Sequence, residues 1–162
     1  MAEEALLENQ VTYLYHASAK KLYNLALSSI GDQLLAEQLA IDAFVFAYNR
    51  LSDKSDVTQF RIKSARHLYR KTKKTLISYN WCGSRKLNAY ETEEFVSCKE
   101  KNQIHSLLIV LNYYERFMLL LFLQQRFSSK QVAQILCIPQ FIAKKQLYRL
   151  LNKAVNIWSQ IN

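Results

Sequence analysis

The sequence predicts an all-α protein, and three observations support this fold class. The chain has 162 residues, of which 50% are hydrophobic, so it can bury the core of one ordinary domain or two small ones. It contains only 2 Gly and 1 Pro, too few for the turns of a β-rich fold or for a glycine-rich phosphate loop. Its apolar residues recur at intervals of three and four, and no useful length alternates as a strand does.

Three helices are predicted in the first half of the chain. Apolar residues at helical spacing predict the first over residues 11–29, which Gly31 ends. Asp32 is expected to cap the second helix, which runs to about residue 51. This second helix is apolar on most sides, so we expect it at the centre of its bundle. Asp56 is expected to cap a third helix over residues 57–78.

Three more helices are predicted in the second half. Residues 104–123 are expected to form one long helix, which is buried rather than membrane-spanning because Asn112, Glu115 and Arg116 interrupt its apolar run. The capping-box sequence at residues 128–131 predicts a short helix that ends at Leu136. Pro139 is then expected at the first position of a final helix, which runs to about residue 158.

Charge divides the chain into four blocks. Residues 1–56 carry a net charge of −4, residues 57–90 carry +9, residues 91–115 carry −3 and residues 116–162 carry +7, which together give the overall +9. Neither basic block contains an acid. Two basic blocks, each preceded by an acidic one, predict two modules that each contact a polyanion. We therefore expect helical domains at residues 1–80 and 102–162, joined by a linker at residues 81–101.

The third predicted helix carries its cations on one face. At 100° per residue, its apolar side chains point to one side and its basic side chains to the other. A solvated helix surface usually mixes both signs, so this face predicts contact with nucleic acid, with a solvated surface as the alternative. His67 is expected to be exposed on the same face. The predicted contacts are Lys63, Arg66, His67, Arg70, Lys71, Lys73 and Lys74.

The last two helices have the lengths of a helix-turn-helix motif. A short helix over residues 129–136, a turn over 137–139 and a helix over 140–158 would place the second helix in a DNA major groove. The inward positions of that second helix are Ala143, Leu147, Leu150 and Ala154. The residues on the opposite face are Lys144, Lys145, Tyr148, Arg149 and Asn152. The predicted DNA contacts are Gln140, Lys144 and Lys145 near the helix start, for base edges, together with Tyr148 and Arg149, of which Arg149 would meet phosphate. The alternative is an amphipathic surface pair with an excess of lysine.

Three short segments, in their order and spacing, match the pattern of a known family. They are Ala36-Glu37-Gln38-Leu39-Ala40-Ile41-Asp42-Ala43-Phe44, the helix at 60–74 with Ala65-Arg66-His67-Leu68, and Phe127-Ser128-Ser129-Lys130-Gln131-Val132-Ala133 with the final helix. Through them the chain resembles a bacterial sigma factor of the extracytoplasmic-function group, the two-domain kind. The resemblance covers about residues 11–158.

The resemblance implies a function and a set of partners. Glu37 and Asp42 would bind core RNA polymerase. The third helix would recognise and open the minus-ten element of promoter DNA, and the final helix would recognise the minus-thirty-five element. The protein would act in the cytoplasm in transcription initiation, with no catalytic residues, no cofactor and no metal. It would have no small-molecule substrate and no membrane insertion, and an anti-sigma factor is a further partner that the resemblance allows.

Two alternatives stay open. Gln38 and Ile41 stand where the family has Asp and Gln, so the chain is alternatively a sigma-like DNA-binding regulator that does not productively recruit polymerase. The second alternative is a helical interaction protein whose basic faces meet an acidic protein or an anionic lipid. That protein would show little affinity for DNA.

An enzyme is not expected from the distribution of reactive residues. The three histidines lie far apart in the sequence, and no Ser/His/Asp or Cys/His spacing accompanies them. The three cysteines are odd in number and lack metal-ligand spacing. We therefore expect Cys82, Cys98 and Cys137 to be reduced thiols.

Overall fold

The computed structural model describes residues 2–78, 107–108 and 110–161, and every regular element among them is a helix. The all-α prediction is therefore confirmed. The predicted linker at 81–101 and the predicted helix start at residue 104 lie outside the described residues. The helices are α1 (Ala2–Ile30), α2 (Gln33–Asn49), α3 (Val57–Ser78), α4 (Tyr113–Leu123), α5 (Ser129–Leu136) and α6 (Gln140–Ile161).

The turns between the first three helices follow the predicted capping chemistry. Gly31 ends α1 with φ of 78°, a left-handed conformation that costs glycine little. The Asp32 side chain accepts a 2.9 Å hydrogen bond from the Leu35 amide and caps α2. Asp56 does the same for α3, accepting from the Gln59 amide at 2.9 Å. Helix α1 begins earlier than predicted, at Ala2.

Helix α2 is less central than predicted. It packs against both α1 and α3 and buries Ala36, Leu39, Ala40, Ala43 and Ala47. Its remaining side is exposed, however, and Leu34, Ile41 and Val45 are at least half accessible there. The larger apolar side chains of α2 divide between its two sides, because Leu39 packs into the core with the alanines, whereas Leu34, Ile41 and Val45 face outwards.

The helix predicted over residues 104–123 is interrupted. Leu107 and Leu108 are helical, but the chain leaves the helix at Leu111 and Asn112, and α4 begins after them. Asn112 and Glu115 form a capping box, in which each side chain accepts a hydrogen bond from the other residue's backbone amide. This cap starts a new helix within a stretch that is apolar on both sides of it, which is why hydrophobic periodicity alone missed the break.

Helices α5 and α6 are joined by a three-residue turn. Ser128 and Gln131 form the predicted capping box at the start of α5. Cys137 ends α5 in the left-handed region with φ of 57°. Pro139 lies just before α6 rather than at its first position, and its carbonyl accepts the Ala143 amide at 3.0 Å.

One core connects helices from both halves of the chain. It joins side chains of α1, α2 and α3 to side chains of α4, α5 and α6. Helix α3 packs on α5, and α1 packs on α4. The Arg116 guanidinium, 6% exposed, ties the halves by donating to the Ser29 carbonyl at 3.0 Å. The division into two domains stays a prediction.

Candidate nucleic-acid interface

The side chains of α3 divide mostly as the helical wheel predicts. The buried members of the packing face are Ile62, Ala65, Leu68, Tyr69 and Thr72. The exposed cations are Arg70, Lys71, Lys73 and Lys74. Lys63 and Arg66 are half-buried. Four of the six predicted cations therefore lie where a polyanion has direct access.

His67 is not exposed as predicted. Only 12% of its side chain is accessible, because its ring stacks on Phe46 of α2 with the ring centroids 3.8 Å apart. Its Nε2 lies 2.9 Å from Asp42 Oδ2. The helical wheel correctly placed His67 away from the packing face of α3. A wheel describes one helix only, so it could not show that Phe46 of the neighbouring α2 covers this side chain. The assignment of His67 to the DNA-binding surface stays a prediction.

The two acids predicted to contact polymerase lie in different surroundings. Asp42 faces α3, where it also lies 3.3 Å from Lys71 Nζ. The hydrogen bond with His67, together with Lys71, holds the pKa of Asp42 below its ordinary value, although partial desolvation acts in the opposite direction. Glu37 is exposed and borders the groove between α1 and α2.

Two further cations, Arg50 and Lys54, lie in the loop before α3, which also carries Asp53 and Asp56. The Arg50 guanidinium lies 4.6 Å from the centroid of the Phe46 ring, a cation–π contact. The Arg50 carbonyl accepts a 2.7 Å hydrogen bond from Lys63 Nζ. Lys54 Nζ lies 4.1 Å from the Tyr48 ring centroid. Arg50 and Lys54 were not among the predicted contacts because both fall in the acidic block, residues 1–56. Their position just before the basic helix could have indicated them.

Two arginines of α3 have no carboxylate partner among the described residues. The Arg66 Nε is buried and has no hydrogen-bond partner there. Arg70 Nη2 donates to Cys137 Sγ at 3.2 Å, which brings the cationic side of α3 against the turn between α5 and α6. The two predicted basic surfaces therefore belong to neighbouring parts of the molecule.

Helix α6 presents the predicted residues on its open side. Its inward residues Ala143, Leu147, Leu150 and Ala154 are buried. The five predicted DNA contacts of this helix are all exposed, namely Gln140, Lys144, Lys145, Tyr148 and Arg149. Phe141 and Val155 are exposed on the same helix, by 73% and 66%, and are not among the predicted contacts.

Glu115, which pairs with α6 in the described part of the chain, does not neutralise this open side. Glu115 caps α4 and pairs with Lys153 at 2.8 Å. From residue 116 to the last residue the chain has seven bases and no acid. Apart from Lys153, the cations of α6 thus have no carboxylate partner in the described part of the chain. Their positive potential is available to an anionic partner.

A groove of about 780 Å³ lies between α1 and α2. Its lining is mainly apolar and aromatic, with Tyr15, Phe44 and Ile41 among its walls and Glu37 as its acid. Tyr15 and Ile41 are each 58% exposed. A groove of this kind, between two helices with apolar walls and few charges, fits an amphipathic protein segment.

Other kinds of site find no support in the described residues. No cluster of His, Cys, Asp and Glu in that part of the chain has the geometry to hold a metal ion. No helix there combines the length and apolar character that crossing a membrane requires. A comparison with protein-family models and a comparison with curated proteins each give no match to this chain.

Proposed function

We propose that this protein is a sigma factor of the extracytoplasmic-function type, which binds core RNA polymerase and directs it to specific promoters. The observation that carries the proposal is the open side of α6, where Lys144, Lys145 and Arg149 are exposed and unpaired by carboxylates of the described residues. This helix follows a short helix and a three-residue turn, the arrangement in which a second helix enters the major groove.

The remaining surfaces supply the other steps of initiation. The exposed cations of α3, extended by Arg50 and Lys54, would hold the minus-ten DNA as it opens, through its phosphates. The groove between α1 and α2, with Glu37 at its edge, would receive a helical segment of core polymerase. No covalent step is needed, because binding to the opened strand would itself drive strand separation.

In vitro transcription with bacterial core polymerase and a genomic template library tests the proposal. We expect the chain to direct transcription from a defined set of promoters. The double variant Lys144→Glu/Lys145→Glu should abolish this promoter-specific transcription and leave polymerase binding intact. Unchanged transcription by that variant would remove α6 as the promoter-reading helix.

A second double variant, with the same change in net charge, controls for the effect of charge alone on duplex binding. Lys20→Glu/Lys21→Glu reverses the same number of charges on α1, away from the proposed DNA surfaces, and should bind duplex DNA as the parent chain does. Affinity of the parent chain should fall steeply with salt, with a log–log slope of about −0.9 for each phosphate contact. A flat salt response would favour the interaction-protein alternative.

A second function is supported by one specific observation. Asp42, a predicted polymerase contact, is paired with His67 and Lys71, so its charge is partly neutralised although 47% of its side chain is exposed. This favours a sigma-like regulator that binds DNA without productively recruiting polymerase. A pull-down with core polymerase at moderate salt separates the two functions, because the regulator would form no stable complex and the sigma factor would.

A further inference from the structure

Phe141 is a large apolar side chain that the fold does not use. It is 73% exposed and is the second residue of α6. The geometry points to Phe141 as a specificity-determining residue, which contacts the 5-methyl group of a thymine in the major groove of the duplex that α6 binds. This inference rests on the proposed function of α6 and adds the base that one of its side chains selects.

The position of Phe141 on the helix places it toward the DNA. At 100° per residue, Phe141 lies within about 30° of the direction opposite the buried face of α6. Lys145 and Tyr148 continue the same exposed line at the next two turns. Side chains in the first turns of a recognition helix are those that contact base edges, because this end of the helix enters the groove.

The chemistry of the side chain then selects the base. A phenyl ring cannot make hydrogen bonds of the kind that distinguish guanine, adenine or cytosine edges. The thymine methyl is the apolar group that the bases offer in the major groove, and phenylalanine is among the side chains that contact it. Lys144 and Lys145 flank the ring with positive charge, so phosphate attraction would bring the ring to the groove.

The charge around Phe141 favours a nucleic acid over an apolar protein surface as the partner that contacts it. Phe141 shares its turn of α6 with Gln140 and Lys144 and lies close to Lys145, all exposed, and no acid follows Glu115 in the sequence. The other exposed large hydrophobic residues of α6, Tyr148 and Val155, lie about 10 Å and about 21 Å away along the helix, and exposed Lys144, Lys145, Arg149 and Asn152 lie among them. The three side chains are therefore spaced one to every two turns within a polar and cationic surface, and not gathered into one continuous apolar patch.

The test replaces single thymines by deoxyuridine, which removes the methyl group and leaves base pairing unchanged. Duplexes are first selected from a random library by the full chain, and each thymine of the recovered consensus is then replaced in turn. At one or two adjacent thymine positions, we expect the deoxyuridine duplex to bind the chain about four-fold more weakly, which is the effect of one buried methyl-sized group. Phe141→Ala should bind the thymine and deoxyuridine duplexes equally, and Phe141→Leu should keep part of the preference.

Matched variants separate this inference from the proposed function. Val155→Ala removes an equally exposed apolar side chain at the far end of α6 and should keep the full thymine preference. If Phe141→Ala keeps that preference too, the inference is overturned while DNA recognition by α6 stands. If selection recovers no consensus and Lys144→Glu/Lys145→Glu does not change duplex binding, the proposed function fails first, and the inference fails with it. Circular dichroism checks that each variant is folded.

Discussion

At the scale of single residues, Arg116 shows how backbone carbonyls can hold a buried charge that has no carboxylate partner among the described residues. Its guanidinium donates to the carbonyls of Leu108 at 2.8 Å, Leu111 at 3.0 Å and Ser29 at 3.0 Å. Burial lowers the pKa of Arg116, but arginine retains its proton in proteins. The break before α4 and the end of α1 therefore share one donor, which positions the two halves against each other.

We predict that Arg116→Ala lowers the free energy of unfolding by about 2–4 kcal/mol, because three buried carbonyls lose their charged donor. Urea unfolding followed by circular dichroism measures the change. Lys130→Ala is the matched control, because it removes an exposed cation from the same half and should change stability by no more than about 0.5 kcal/mol. A loss below about 1 kcal/mol for Arg116→Ala would contradict this account.

Asp42 gives a prediction about pH. Its pKa lies below the ordinary 3.8, chiefly through the hydrogen bond with His67 and further through Lys71. A carboxyl whose folded pKa is depressed stabilises the fold above its unfolded pKa, and this contribution is lost as the pH falls through the folded value. We expect an NMR titration of the Asp42 carboxyl carbon to show a pKa below 3.8.

The partners of Asp42 supply the control for that titration. His67→Phe keeps a ring against Phe46 but removes the hydrogen bond, so the pKa of Asp42 should rise toward 3.8. The stability difference between the parent chain and Asp42→Asn should be present near neutral pH and shrink below about pH 4. An unchanged Asp42 pKa in His67→Phe would show that the hydrogen bond is not the main cause.

At the scale of elements, the turn between α5 and α6 sets the orientation of α6. Cys137 adopts a left-handed backbone with φ of 57°, and the Ile138 amide donates to the Ala133 carbonyl at 3.1 Å. Any residue with a Cβ atom is sterically disfavoured in this conformation, in contrast to glycine. The turn is therefore held by the packing of the helices on each side and not by a residue suited to it.

We predict that Cys137→Gly raises the free energy of unfolding by about 0.5–1 kcal/mol, since glycine adopts this conformation without a Cβ clash. Cys137→Val should lower it by about 1 kcal/mol or more, because β-branching is least compatible with positive φ. Cys137→Ala removes the thiol contact with Arg70 and serves as the reference. Thermal unfolding of the three variants checks the order Gly, Ala, Val.

At the scale of the whole molecule, the shared core determines how the chain responds to denaturant. Helices α1, α2 and α3 contribute to the same cluster of buried residues as α4, α5 and α6. Stacked contacts cross between the halves, with Tyr69 of α3 lying 5.2 Å from Phe117 of α4 between ring centroids. We therefore expect the two halves to depend on each other for stability.

We predict one cooperative unfolding transition. In a Trp81→Phe variant, fluorescence reports on Trp158 of α6 alone, and circular dichroism reports on all the helices. The two urea curves should coincide, as two-state unfolding requires. Two separate transitions would instead show that the halves are independent domains, as the sequence analysis predicts.

The sequence by itself determined the helical class and most of the helix ends. Gly31, Asp32, Asp56 and Ser128 act through hydrogen bonds within a few residues, so their effects can be inferred from the sequence. The buried face of α6 and the cations opposite it were likewise predictable, because one helical period fixes both. The start of α4 was missed because its cap, Asn112, lies within an apolar run that periodicity continues across.

Only the tertiary structure decided which predicted side chains are covered and which are paired. His67 is covered by Phe46, and Asp42 turns to α3, because α2 packs along that edge; no local pattern encodes that neighbour. Arg50 joins the basic surface for the same reason. Capping and periodicity are local interactions along the chain, whereas burial and ion pairing depend on residues that only packing brings together.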